Sequence, residues 1–206
     1  MRPDWIERQL HHRGIRDERV LAAMARVPRE AFVPAGARRH AYADAALSLP
    51  HGQTISQPYI VALICQALEL QGGERVLDVG TGSGYQAAVL AELGANVYTI
   101  EIIESLGRAA ARKLSELGYR NIATRIGDGY QGWPEHAPFD SIIVTAAARE
   151  VPPALVTQLK TGGKLVIPLG SSGGAQTLYV MEKQADGRVT RREVLGVRFV
   201  PLTGGK

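Results

Sequence analysis

The chain has 206 residues, 45% hydrophobic and 21% charged, with a formal net charge of +4 and a pI near 9.4. That balance suits an ordinary globule and excludes a disordered chain, while the longest apolar run, residues 60–70, is interrupted by Gln66 and Glu69 and cannot span a bilayer. The single cysteine, Cys65, excludes an internal disulfide and a cysteine zinc cage, and the dispersed basic residues form no tract of the kind that grips nucleic acid.

The first thirty residues predict two short helices. Trp5, Ile6, Leu10 and Ile15 mark one apolar face; Val20, Leu21, Met24 and Val27 mark the other. Asp17 is placed to cap the second helix and Pro28 to stop it. Glu7, Arg8, His11 and His12 stand where a signal peptide needs an apolar core, which points to a cytoplasmic protein. Residues 34–57 are irregular, punctuated by Pro34, Gly36, Pro50 and Gly52. So long a connection in a compact domain is functional or disordered.

From Pro58 the pattern becomes regular. It predicts helix 58–70, strand 75–79, helix 85–93, strand 97–100, helix 104–117 and strand 122–126. Strand 141–145, a short helix at 153–159 and strand 164–168 follow. The run Ile142-Ile143-Val144 suits a parallel strand covered on both faces. This alternation implies an α/β fold: a Rossmann-like, doubly wound, mostly parallel sheet with ligands at the carboxyl ends of its strands. Segments 178–183 and 189–197, joined around Asp186-Gly187, predict an antiparallel C-terminal hairpin added to the sheet. Residues 1–57 are then N-terminal helices and an active-site loop packed on a 58–206 core, in one globular unit.

The residues that carry chemistry centre on Val76-Leu77-Asp78-Val79-Gly80-Thr81-Gly82-Ser83-Gly84-Tyr85, an apolar strand running into a glycine-rich turn. A cofactor must approach that backbone closely, and glycine leaves φ free. The G-x-G-x-G spacing is one residue shorter than the dinucleotide fingerprint. With an acid two residues before its first glycine, it looks more like an S-adenosylmethionine loop. Glu101 closes the next strand about 20 residues on, where a carboxylate meets a ribose hydroxyl pair. Asp128, in Gly127-Asp128-Gly129-Tyr130, is either an acceptor for an adenine amino group or a turn aspartate. Ser56, two residues before Pro58, is either a helix N-cap or a hydroxyl over the cofactor site. His11, His12, His40, His51 and His136 show no metal-ligand spacing, and adjacent His11 and His12 on a helix face different ways. No metal is expected. Trp133-Pro134 reads as packing or loop structure.

Several segments together resemble the protein-L-isoaspartate O-methyltransferase family over nearly the whole chain. They are residues 27–34 (Val-Pro-Arg-Glu-Ala-Phe-Val-Pro), 52–59 (Gly-Gln-Thr-Ile-Ser-Gln-Pro-Tyr), the glycine turn 80–86, and 127–130. Residues 137–140, 145–148 and 197–202 extend the match. The glycine turn is shared by many methyltransferases; the 53–58 segment is much more particular to this family. The resemblance implies methyl transfer from S-adenosylmethionine to the α-carboxylate of isoaspartyl residues in damaged proteins and peptides, the first step of their repair to aspartate. By position it implies Ser56 as the catalytic residue, and Thr54, Ile55 and Thr203 as substrate neighbours. It implies cofactor contacts from Asp78, Gly80, Thr81, Gly82, Gly84, Glu101, Asp128 and Gly129. Asp78 stands where many members have Glu, and Leu47-Ser48-Leu49-Pro50 replaces a more usual Leu-Pro-Ile-Gly.

Other classes fit less well. A base-amino methyltransferase uses an Asn/Asp-Pro-Pro-Tyr/Phe segment where this chain has Thr145-Ala146-Ala147-Ala148. A nicotinamide dehydrogenase would want the longer glycine spacing and an acid/base, and a pure binding module leaves two adenosine-directed carboxylates unexplained. We expect isoaspartyl peptides and proteins as partners, no nucleic acid or membrane, and a monomer.

Overall fold

The computed structural model describes residues 3–171 and 174–205. Helix α1 (Asp4–Gln9) and helix α2 (Glu18–Arg26) open the chain. Asp17 caps α2 by accepting from the Arg19 and Val20 amides, and the helix ends at Arg26, two residues before Pro28. Residues 34–57 are less irregular than the sequence suggests. They hold 3-10 turns and a small antiparallel pair, β1 (Leu47–Ser48) and β2 (Thr54–Ile55), with Leu47 opposite Ile55.

The main sheet begins after helix α3 (Pro58–Leu68). Strand β3 (Arg75–Val79), helix α4 (Tyr85–Glu92), strand β4 (Asn96–Glu101), helix α5 (Glu104–Glu116) and strand β5 (Ile122–Ile126) form its first half. Strand β6 (Phe139–Val144), helix α6 (Pro153–Gln158) and strands β7 (Leu159–Gly170), β8 (Gln176–Lys183) and β9 (Val189–Val197) form the second. The order is β5-β4-β3-β6-β7-β8-β9. The first five strands in that order run parallel; β8 and β9 each add an antiparallel edge. The winding reverses between β3 and β6, which opens a crevice at their carboxyl ends.

Alternation along the strands divides the core between two faces. Val76, Ile143 and Val166 join a cluster with α3, α4 and the N-terminal residues Ile6, Leu10, Leu21 and Met24. Leu77, Ile142 and Leu165 point the other way, against Leu155 of α6 and the rim residue Trp133. Trp133 stacks edge-on against Tyr98 at 5.9 Å, so it is a packing residue. Cys65 is a core residue too, and burial pushes its thiol up to about 12. Among the described residues, no helix is long and apolar enough to cross a membrane.

One expectation about the N-terminus fails. His11 and His12 do not face apart: His11 Nδ1 lies 2.7 Å and His12 Nε2 3.3 Å from the same Glu7 carboxylate oxygen. The chain has left α1 for a tighter 3-10 turn at His11–Arg13, which changes the angle between successive side chains.

Candidate active site

The crevice at the β3/β6 switch point is lined from sequence-distant segments. Gln53, Thr54, Ile55 and Ser56 come from the β2 hairpin, Gly80 to Ser83 from the turn after β3, and Glu101 from the end of β4. Gly129, Thr145 and the stretch from Val200 to Thr203 complete the wall. Of the residues expected from the sequence, nine meet here: Thr54, Ile55, Ser56, Gly80, Thr81, Gly82, Glu101, Gly129 and Thr203. Asp78, Gly84 and Asp128 do not line the cavity.

Two of these three act from beneath the wall. Asp78 is fully buried, and its Oδ2 accepts from Thr99 Oγ1 at 3.0 Å. Because Thr99 spends its only proton there, it accepts from the Thr81 hydroxyl at 2.7 Å. This chain ties the glycine turn to the middle of β4. Burial, helped by the nearby Glu101 charge, pushes the Asp78 carboxyl up to about 7, against the pull of the Thr99 hydrogen bond. Gly84 has φ +89 and stands at the start of α4, where a Cβ would press within 3.3 Å of Leu114. Its role is close packing of helix on helix.

The turn itself offers room more than donors. The Gly80 and Thr81 amides both donate to the Ile100 carbonyl, Gly84 donates to Thr81, and Gly82 donates to Glu101 Oε2 at 2.9 Å. Gly80 has φ +103, and a Cβ there would come within 2.6 Å of Thr145 Oγ1. Glu101 is 6% exposed, and its second oxygen accepts from the Ile103 amide at 3.0 Å. It thus braces the turn on one side and the start of α5 on the other, and about two of its four acceptor sites stay free.

Ser56 lies one residue before the N-cap of α3, which is Gln57, and no side chain caps that helix. The helix-cap reading of Ser56 fails, and Ser56 is one of the residues lining the cavity. The hairpin carrying it turns at Pro50–Gly52, where His51 adopts φ 60, and His51 Nε2 lies 2.8 Å from Ser105 Oγ on α5. Asp128 flanks the cavity through its neighbour Gly129. Its carboxylate accepts from the Tyr130 amide at 2.9 Å and from the Gly205 amide at 2.7 Å, which anchors the C-terminal segment beside the site.

Sequence reasoning missed Tyr85, Gln86, Thr145 and Leu202, all on the wall. Gln86 donates to Cys65 Sγ at 3.2 Å, while its Oε1 is buried with no hydrogen-bond partner among the described residues. Tyr85 and Gln86 directly follow the glycine turn, so proximity to it could have flagged them. Thr145 and Leu202 fell in segments that carry the family resemblance, but residue chemistry alone did not mark them: the β3–β6 pairing brings Thr145 to the turn, and a backbone bond to Ala147 brings Leu202 there.

The family model for protein-L-isoaspartate(D-aspartate) O-methyltransferase matches residues 3–206. A protein-L-isoaspartate O-methyltransferase 2 of Polaromonas sp. is 57% identical over 188 residues, covering 91% of this chain and 89% of the relative. A protein-L-isoaspartate O-methyltransferase of Gloeobacter violaceus is 51% identical over 201 residues, 98% of each. A solved protein-L-isoaspartate O-methyltransferase structure, 30% identical, superposes with a TM-score of 0.87 over 99% of this chain and 66% of its own. A Plasmodium falciparum crystal structure described as a beta-aspartate methyltransferase in complex with S-adenosyl-L-homocysteine is 28% identical. Its TM-score is 0.81, over 97% of this chain and 96% of its own. The chain therefore belongs to the protein-L-isoaspartate(D-aspartate) O-methyltransferase family.

Proposed function

We propose that the chain methylates the α-carboxylate of L-isoaspartyl residues in damaged proteins and peptides, with Ser56 orienting that carboxylate against S-adenosylmethionine. The resulting ester closes to a succinimide without the enzyme and reopens in part to aspartate, so methylation starts a repair. One observation carries the reading: Ser56, the glycine turn and Glu101 line a single cavity at the sheet's switch point.

The residues present fit the cofactor. Glu101 has acceptor sites left for a ribose hydroxyl pair. The unpartnered Gln86 Oε1 suits an ammonium, and the space kept by Gly80 admits a ligand against the backbone. When bound, S-adenosylmethionine supplies a methyl group already made electrophilic by its sulfonium.

The remaining work falls to this chain's residues. A substrate carboxylate, with a reference pKa of about 4, is ionised at neutral pH and needs no general base. The Ser56 hydroxyl can donate to it and fix its direction of approach, with Thr54 and Ile55 beside it and Thr203 on the C-terminal side of the cavity. A cation in direct contact would favour the ground state over a transition state in which charge is being lost.

Ser56→Ala tests the assignment. S-adenosylmethionine affinity should hold in calorimetry, while turnover of an isoaspartyl peptide falls about 10- to 1,000-fold, roughly 1.4–4 kcal/mol in the barrier. Full turnover in the variant would end the role of Ser56. The same peptide with normal aspartate should stay unmethylated by both forms.

We also read the protein as a cytoplasmic monomer that acts on protein and not on nucleic acid, with residues 1–57 an arm on the 58–206 core. The hydrophobic cluster shared by Leu10, Met24 and Tyr85 supports the packing of that arm. The pairing of Arg26 with Glu92, Arg125 with Glu135 and Lys164 with Glu69 supports a mixed rather than a cationic surface. Light scattering that returned a mass well above 22.2 kDa would refute the monomer. Cell fractionation and a nucleic-acid binding titration test the other two readings.

A further inference from the structure

The motif at residues 27–34 carries a group that the reaction above leaves unused. Arg29 is 0% exposed, among the largest fully buried side chains, and no carboxylate among the described residues pairs with it. A buried guanidinium without an acid is costly unless its donors are well satisfied. Here Nε donates to the Ala41 carbonyl and Nη2 donates to the Ser56 carbonyl, both at 2.7 Å, while Nη1 is buried with no hydrogen-bond partner among the described residues, so the group is held at a cost for the two carbonyls it reaches. The guanidinium carbon stands 4.7 Å from the ring centroid of Tyr85, the first residue of α4 and part of the cavity wall. One rigid fork thus grips the backbone of Ser56, the loop before it at Ala41, and the residue that follows the glycine turn.

We propose that Arg29 is a positioning residue for methyl transfer: it fixes the Ser56 backbone against the cofactor side of the cavity so that the Ser56 hydroxyl meets the substrate carboxylate in line. The inference rests on Ser56 being the carboxylate-orienting group. Arg29 does not touch substrate in this account; it acts through Ser56. The segment from Gly52 to Gln57 needs such a tie, because β2 has two residues and no side chain caps α3. Two carbonyls reached from 12 and 27 residues away require the fixed fork of an arginine. A lysine presents one compact ammonium and cannot hold both at the same geometry. Displacements of about 1 Å at a reacting group can lower the rate on the order of 100-fold.

The experiment is a double-mutant cycle on the whole chain, using Arg29→Lys, Ser56→Ala and the double variant. Turnover of an isoaspartyl peptide is measured per S-adenosylhomocysteine-binding site, counted by calorimetry, so that a misfolded fraction does not enter. Arg29→Lys should lower kcat about 10- to 100-fold, with S-adenosylhomocysteine affinity within about twofold of the parent. The double variant should be no slower than Ser56→Ala alone, since without the hydroxyl there is nothing left for Arg29 to aim. The proposal is overturned if Arg29→Lys turns over like the parent per binding site and loses only thermal stability. It is equally overturned if the two losses multiply in the double variant. Should Arg29→Lys yield too few sites, Arg29→Gln, which keeps a planar donor, serves in the same cycle. Full activity of Ser56→Ala removes the reading of Ser56 itself. An impaired Ser56→Ala beside a fully active Arg29→Lys removes only the proposal for Arg29.

Discussion

Replacing Glu101 with glutamine tests the cofactor side of the cavity by exchanging a single heavy atom, one carboxylate oxygen for an amide nitrogen. The carboxylate accepts from the Gly82 amide at 2.9 Å through one oxygen and from the Ile103 amide at 3.0 Å through the other. Glutamine offers one oxygen, so whichever amide faces the new NH2 loses its acceptor. A hydrogen bond to a charged group is worth about 1.5–3 kcal/mol. The fold should therefore lose about that much, a fall in Tm of roughly 3–12 °C for a chain of this size. Ribose recognition loses a charge-assisted partner of the same scale. The dissociation constant for S-adenosylmethionine should then rise about 10- to 150-fold, each 1.4 kcal/mol being tenfold. Calorimetric titration gives the affinity and differential scanning fluorimetry the Tm. A folded variant with unchanged affinity would show that Glu101 braces the turn without holding ligand. Unchanged Tm would show that the two backbone bonds contribute nothing net.

Three further substitutions probe the layers around that carboxylate. The Asp78 carboxyl, raised by burial from 3.8 to about 7, makes folding favour its protonated form. The stability this adds is complete below about pH 4 and is lost as pH rises through about 7; at about 1.4 kcal/mol per unit the swing is about 4 kcal/mol. Urea unfolding of the parent and Asp78→Asn at pH 5 and pH 8 should show the parent losing ground to the variant at the higher pH, and parallel curves would refute it. Gly80→Ala forces a side chain into φ +103 and within 2.6 Å of Thr145 Oγ1. It should lower S-adenosylmethionine affinity more than tenfold, and adding Thr145→Ala should recover only the steric part of that loss; parental affinity in Gly80→Ala would show that the turn needs no glycine there. Asp128→Ala should weaken competition by adenosine while sparing methionine, and should speed hydrogen exchange at the Gly205 amide that Asp128 now holds. Undiminished adenosine competition would confine Asp128 to anchoring the C-terminal segment.

Strand β3 was legible to the residue because an apolar run met a glycine turn, and both hairpin strands at the C-terminus were found around Asp186-Gly187. Helix ends drifted by one or two residues, as at α3, where Glu69 enters the left-handed region at φ 55 and stops the helix at Leu68. Strands β1 and β2 were invisible because two residues carry no periodicity, and of the two left-handed positions in their turn only Gly52 was a recognisable signal, the other being His51. Asp78 was read as a ligand contact because its position in the motif is informative and its depth is not. Whether a strand-end carboxylate faces a cavity or lies beneath it depends on tertiary packing. Glu101 and Asp78 differ in that respect, though both come from the carboxyl halves of neighbouring strands.

The cavity's divided parentage bears on how acceptor choice can change. Val79 to Glu101 is one uninterrupted strand–helix–strand passage, and it supplies the glycine turn and its bracing carboxylate. The residues we propose to face the acceptor come instead from segments far apart in the chain, Gln53 to Ser56 and Val200 to Thr203. Change in those segments alters no residue of the β3–α4–β4 passage itself, though they are tied to the core through Arg29 beside Tyr85 and through the pairing of Pro201 with Ala147. A grafted pair of such segments is the shortest path by which this scaffold could deliver its methyl group to a different acceptor.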